Sequence, residues 1–246
     1  MPPWRLIESP PSDIFFHMNL DRELFEAFLQ NPDALPALRI YRVTEPAITV
    51  GRSWRKPKPA KPGTVLGGTV LTVPGVSRLF MTKLSPPEPS PGEPSLCVRP
   101  TGGGLVHHGN DLIYSVIARR SSFPTFRQVR TSYLSFHEAV QEAFQKLGIE
   151  TRLFRCDDSR ARLNSKRALH LDDCFHRPVP TDLALGDQKI AGAAQWRRGE
   201  NFLHQGSLQL PEGISFSALK EALLGAFKRK FGVRWESNEI KATAVI

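Results

Sequence analysis

Apolar residues recur near helical spacing over residues 13–29, DIFFHMNLDRELFEAFL, at Ile14, Met18, Phe25, Phe28 and Leu29. Ser12 or Asp13 can cap the start of this predicted helix, and Asn31-Pro32 ends it. The runs ALRIYRV (37–43) and AITVGRS (47–53) predict two paired strands joined through Glu45-Pro46. From about 54 to 95 the pattern breaks, because prolines at 57, 59, 62, 74, 86, 87, 89, 91 and 94 interrupt every periodicity. TVLTV (69–73) and SRLFMT (77–82) predict a hairpin around Pro74-Gly75, inside what otherwise reads as a long insert loop.

Order resumes at residues 96–120, LCVRPTGGGLVHHGNDLIYSVIARR, as strand, glycine loop, strand, then a further strand from Leu112 to Ala118. Residues 131–147 predict an amphipathic helix with Gly148 at its C-terminal cap. ETRLFR (150–155) predicts a strand, and residues 157–173 a charged loop. GDQKIAGAAQ predicts strand-turn-strand: Leu183 and Leu185 lead into a Gly186-Asp187 turn, followed by Ile190 and small residues. ENFLHQGSLQL (200–210) is a further strand, and residues 215–231 a last helix. Helices and strands mix without regular βαβ alternation, which predicts an α+β fold of mixed sheet with flanking helices.

A chain of 246 residues that is 40% hydrophobic and 23% charged suits one soluble domain spanning 1–246. The N-terminal MPPWRLIESPPSD has no apolar signal core, and no run of 18 apolar residues occurs. Three cysteines, Cys97, Cys156 and Cys174, lack the spacing of a disulfide framework, so a reducing cytoplasm is expected. The net charge of +9 is clumped, at Arg52, Arg55, Lys56, Lys58 and Lys61 and again from Arg152 to Arg167. Such clumps favour acidic partners, protein or nucleic acid, or form a solvated face.

The chemistry points to Cys174 and Lys189, fifteen residues apart. A lysine opening a strand with Gly192, Ala193 and Ala194 close behind it can bring its ammonium against a ligand. A thiol folded onto that charge would be ionised more readily and serve as a nucleophile. The same stretch, His170, Asp172, Asp173, Cys174 and His176, offers zinc-ligand types but fits no common zinc spacing, so no metal is expected. Gly102, Gly103 and Gly104 precede a strand rather than a helix, which removes the dinucleotide reading and leaves close ligand approach or a bulge. There is no P-loop and no G-x-S-x-G elbow.

Read whole, RPTGGGLVHHGNDLIYS resembles the signature of the lipoate ligase, biotin ligase and octanoyltransferase superfamily. HMNLDRELFEA, PAITVGRSW and DLALGDQKIAGAAQWRRGENFLHQGSL agree with three further family segments, in family order, over roughly residues 5–210. The last of these looks like the family's D-L-x-x-x-G-x-K segment. Cys-Phe upstream of the lysine makes the chain most similar to the cysteine-dependent octanoyltransferases. The resemblance implies the fold of the biotin/lipoate-ligase catalytic domain. Only 15 residues follow the last helix, so no C-terminal accessory domain is expected.

The resemblance also implies roles. Cys174 would be the nucleophile and Lys189 the acyl-site lysine. Arg99, Thr101, Gly102, Gly103, Gly104, His108, Gly192, Ala193, Gln195, His204 and Gly206 would line the substrate pocket. The implied reaction moves an octanoyl group from acyl carrier protein to a lysine of a lipoyl-domain protein, such as glycine cleavage H protein or a 2-oxoacid dehydrogenase E2. It needs no cofactor. ATP would enter only for the alternative, a lipoate-protein ligase; a second alternative is an octanoyl amidotransferase between lipoyl-domain proteins. A nucleic-acid-binding descendant is disfavoured, because the basic clumps carry no interleaved aromatics. Three departures stand out: Gly104, where these transferases more often have Arg; His204-Gln205-Gly206, where the family has a second His; and the insert at 54–95, longer than the family usually shows there. They bear on substrate choice more than on the chemistry.

Overall fold

The computed structural model describes residues 1–54, 94–154 and 181–237. The predicted hairpin within the proline-rich insert, the charged loop and Cys174 lie outside the described residues. Strands β1 (Pro3–Glu8), β2 (Ala37–Tyr41), β6 (Asp111–Arg119), β7 (Arg152–Leu153), β8 (Leu183–Leu185), β9 (Gln188–Arg198), β10 (Asn201–Gln209) and β11 (Arg234–Ser237) form one mixed sheet of eight, ordered β11-β1-β2-β6-β10-β9-β8-β7. Strands β3 (Ala47–Gly51), β4 (Ser95–Arg99) and β5 (Leu105–His108) form a second sheet with β3 central, parallel to β4 and antiparallel to β5. The α+β expectation holds, but β2 and β3 are not paired with each other. Each finds a better neighbour: β2 lies between β1 and β6, while β3 leaves for the small sheet. Strand β1 and the edge strand β11 are absent from the sequence pattern as well. Both are short, and they pair in parallel with each other across almost the whole chain.

One face of the large sheet is covered by α2 (Val129–Lys146) and α3 (Phe216–Phe231). Phe126, Phe136, Phe202, Phe227 and Phe231 pack there with Trp4 and Tyr114, all buried. Phe136 and Phe227 stack with centroids 6.0 Å apart, which adds ring-pair energy to the burial of apolar area. The helices stop where local chemistry dictates. Gly148, at φ 76°, closes α2 through bonds from its own N–H to Gln145 and from the Ile149 N–H to Phe144. The Ser215 hydroxyl accepts from the Ala218 N–H at the start of α3, and left-handed Gly232 ends it.

The other face carries α1 (Ile14–Gln30), whose start is capped by Asp13 accepting from the Phe16 N–H at 2.8 Å. Phe25 and Phe28 pack on Ile117 and Leu203, while Ile14 and Met18 reach Tyr41, Ala47 and Cys97. The helix thereby bridges both sheets. Its polar stripe is buried as well. Asp21 is fully enclosed and accepts from Arg39 Nη1 (2.8 Å), Tyr41 OH (2.8 Å), Ser115 Oγ (2.7 Å) and Gln205 Nε2 (2.7 Å). A buried carboxylate is tolerable only with such a set of donors. Among the described residues, no helix is long and apolar enough to cross a membrane.

Asp21→Ala strands the Arg39 guanidinium in the interior and lowers unfolding free energy by about 3–5 kcal/mol, measurable by urea denaturation. His17 is buried beside it, with Nε2–H donating to the Arg42 carbonyl at 3.0 Å and Nδ1 accepting from Arg39 Nη2 at 2.7 Å. Burial, and then the Arg39 charge, lower its pKa from 6.5 to about 4. The neutral ring's contribution is complete above the unfolded value and is lost as pH falls towards the folded one. Stability is therefore expected to drop across pH 6.5 to 4, by up to about 3 kcal/mol from this group. His17→Gln flattens that part of the urea-midpoint profile.

Candidate active site

Lys189 opens β9 and is buried, its Nζ 2.7 Å from Asp182 Oδ2. A register shift sets its direction. Leu183 pairs with Ala191 but Ala184 pairs with Lys189, so Ile190 is an extra residue on β9. Such a bulge interrupts the alternation of side chains. Residues 189 and 192 of a regular strand would face opposite ways; here they share a face. The glycine at 192 is then a steric requirement, because a Cβ there would lie 2.5 Å from Lys189 Cε and 2.6 Å from Nζ.

The glycine loop is built by a different set of contacts. Arg99 is buried and turned inward, donating from Nη2 to the Gly102 (2.6 Å) and Gly104 (2.8 Å) carbonyls, from Nε to Gly102 (3.0 Å), and from Nη1 to Thr49. Gly103 takes a left-handed φ of 91°. The loop lies directly on β3, where a Cβ at Gly51 would sit 2.2 Å from the Gly103 carbonyl oxygen. Thr101 Oγ1 donates to Gln205 Oε1 at 2.7 Å, and Gln205 in turn donates to Asp21. His108 spans Thr49 Oγ1 through Nε2 (2.9 Å) and Asp111 Oδ2 through Nδ1 (2.7 Å), and Ser207 Oγ donates to that same carboxylate oxygen at 2.6 Å. Since Ser207 pairs with Gly192, this network ends beside the lysine on the same face of the sheet.

Not every residue expected in the pocket is brought there. Gln195 and His204 are cross-strand partners whose side chains bond to each other at 3.0 Å and meet α2, through Ser132 and Phe136. Ala193 and Gly206 are paired on that same face, and a Cβ at Gly206 would lie 2.2 Å from the Tyr114 ring. The period-2 alternation of β9 and β10 thus turns Ala193, Gln195, His204 and Gly206 towards the helices and away from Lys189, Gly192 and Thr101. Burial, with the nearby His137 and Arg197 adding to it, pushes the His204 pKa well down and leaves its ring neutral. His204 and Gln195 hold α2 on the sheet rather than facing the lysine.

Asp182, Gln205, Asp111, Thr49 and Ser207 join the site without being among the pocket residues implied by the resemblance. Asp182 begins the D-L-x-x-x-G-x-K segment and was visible there. Gln205 stood out only as a departure, and its partners Thr101 and Asp21 are 104 and 184 residues away. Cys97 is free and buried in the core, where burial raises its thiol pKa to about 11, so it is no nucleophile at neutral pH. Cys174 and the zinc-like stretch at 170–176 are outside the described residues. Among the described residues, no cluster of His, Cys, Asp and Glu is grouped to hold a metal.

Thr181, next to Asp182, is the one described non-glycine residue at positive φ, 85°. For a β-branched residue this conformation costs on the order of 1–3 kcal/mol and persists only under external constraint. The constraint is present. The Thr181 N–H donates to the Phe154 carbonyl (3.0 Å), the Phe154 N–H donates to the Asp182 carbonyl (2.8 Å), and the Thr181 carbonyl accepts from His137 Nδ1 on α2.

A glycine loop joining two strands of the small sheet and a buried, ion-paired lysine on the large one make up the candidate site, and comparison with known proteins gives the chain a family. Residues 93–232 match the model of the lipoyl protein ligase A/B catalytic domain, and the chain belongs to that family. Among curated relatives, the octanoyltransferase LipM of Oceanobacillus iheyensis is 26% identical over 211 residues, covering 86% of this chain and 65% of the relative. The LipM of Geobacillus kaustophilus is 34% identical over 143 residues, covering 54% of this chain and 50% of the relative. The chain thus spans between half and two-thirds of those proteins' lengths. Lipoate-protein ligase A bound with ATP shares the fold at a TM-score of 0.66 and 18% identity, over 98% of this chain and 90% of that one. The bipartite lipoate protein ligase of Thermoplasma acidophilum does so at 0.63 and 15%, over 98% and 89%.

The two tight glycines should fail differently. In Gly192→Ala the clash is with the movable end of Lys189, so the fold survives and the lysine is displaced from Asp182. Gly51→Ala meets backbone and is expected to cost about 1–3 kcal/mol. Thermal unfolding together with a crystal structure of the Gly192 variant distinguishes the two.

Proposed function

We propose that the protein is an octanoyltransferase that moves a medium-chain acyl group from acyl carrier protein to a lysine of a lipoyl-domain protein through a thioester on Cys174. The observation that carries this reading is the Lys189 ammonium, held by Asp182 over the backbone of Gly192 on the face shared with the Thr101–Gln205 and His108–Asp111–Ser207 networks. Cys174 takes its role from the resemblance of its sequence context. Support also comes from the LipM relatives, and from the lipoyl domain named as the partner of the T. acidophilum ligase.

In this mechanism the Cys174 thiolate attacks the carbonyl of the octanoyl thioester. The tetrahedral oxyanion collapses with loss of the carrier's thiolate, so one thioester replaces another. The acceptor lysine's amine then attacks the acyl-enzyme, a second oxyanion collapses, Cys174 leaves as thiolate, and the amine's proton passes to it or to solvent. Lys189 is the group to stabilise each oxyanion. A donor aimed at such a charge contributes about 2.7–4 kcal/mol in other acyl-transfer enzymes. The basic clumps of the sequence suit acidic carrier and acceptor domains. In this reading the chain works as one catalytic domain in the cytoplasm, without ATP or metal.

Intact mass spectrometry after incubation with octanoyl-acyl carrier protein, without ATP, tests the proposal. The expected result is an octanoyl adduct removed by hydroxylamine, absent in Cys174→Ser as a thioester and retained in Cys97→Ala. Lys189→Met should slow adduct formation by about 100–1000-fold with the fold intact. Acceptor modification only when ATP and free acid are supplied, and undiminished in Cys174→Ala, would instead establish a ligase.

A further inference from the structure

His137 lies on α2 and is 1% exposed. Its Nδ1 faces the Thr181 carbonyl, which can only accept, so Nδ1 carries the hydrogen and Nε2 is a bare lone pair. Among the described residues that Nε2 has no hydrogen-bond partner, and it is buried. Burial, first among the causes, lowers the ring's pKa and keeps it neutral. The groups around it are the Asp182 carboxylate and Lys189 ammonium on the sheet side, with the Tyr133 and His204 rings each 6.3 Å away by centroid. A buried acceptor left unmatched is a standing cost. An apolar ring would fill the same space without it. The advantage of histidine here is therefore the one bond that it does make.

We propose that His137 is a positioning residue for the lysine site: its Nδ1–H clamps the carbonyl of left-handed Thr181 and so aims the Asp182 carboxylate at Lys189. Three contacts meet at this point. The Phe154 backbone brackets residues 181 and 182 from one side, His137 fixes the peptide from the other, and the resulting left-handed turn delivers Asp182 to 2.7 Å from Nζ. A helix on the far face of the sheet thereby governs an ion pair on the site face. The effect on turnover rests on Lys189 acting in acyl transfer as proposed above; the positioning itself does not.

The test compares wild type with His137→Asn, His137→Gln and His137→Phe. The Asn amide nitrogen falls near the Nδ1 position and can donate to Thr181; the Gln amide mimics Nε2 instead, and Phe has no donor. Competitive acetylation with acetic anhydride, read by mass spectrometry at Lys189 relative to exposed Lys146, reports the ion pair without any acyl substrate. Loss of this one charge-orienting bond should raise Lys189 labelling by about fivefold or more in the Phe and Gln variants and leave Asn within about twofold of wild type. For octanoyl transfer, kcat should fall about tenfold in Phe and Gln with KM nearly unchanged, and recover in Asn. Wild-type labelling in a folded Phe or Gln variant overturns the proposal, as does an equal rise in Asn, which would mean that the ring only fills space. If the Phe variant does not fold, the Asn–Gln comparison decides alone. Transfer that survives Lys189→Met would refute the role of Lys189 in acyl transfer while leaving the labelling result to judge the clamp.

Discussion

A carboxylate sealed from water must find its hydrogen bonds inside the protein, and Asp21 finds four, from β2, β6 and β10 of the large sheet. Those donors are side chains of Arg39, Tyr41, Ser115 and Gln205, so α1 is fixed to three strands through two oxygens. Gln205 extends the constraint to Thr101 at the base of the glycine loop. The position of that loop thus depends on a charge near the middle of a helix that also bridges both sheets. Apolar packing alone would hold α1 with far less directional preference, since hydrophobic burial does not specify orientation.

The second constraint is the bulge at Ile190. Strand alternation is strict, so a single extra residue decides on which side of the sheet Lys189 emerges. With it, Lys189 meets Gly192 and Asp182 on the face to which Ser207 of the neighbouring strand belongs. The same alternation, undisturbed further along β9, turns Ala193 and Gln195 to the helices. One strand therefore serves the site at its beginning and the core at its end.

Much of the fold was legible in local pattern. The three helices among the described residues follow apolar spacing, and their ends follow from Asp13, Gly148, Ser215 and Gly232. The glycine loop and the β8–β9 turn at Gly186 were visible because glycine at positive φ leaves a compositional mark. Pairing was less legible. β2 and β3 are adjacent in sequence and both apolar, yet they enter different sheets, because pairing depends on neighbours that arrive from distant parts of the chain. The same limit hid β1 and β11.

The candidate site divides along this line. The chain by itself singled out Lys189 and the glycine loop, and it tied both to a family, since residue type and spacing carry that chemistry. Which expected residues share a face with Lys189 was decided only in three dimensions, by the bulge and by strand parity. Asp182, Gln205 and His137 gained their meaning there as well. Hydrogen bonds reward geometry between residues far apart in the chain, and no local pattern records such a distance.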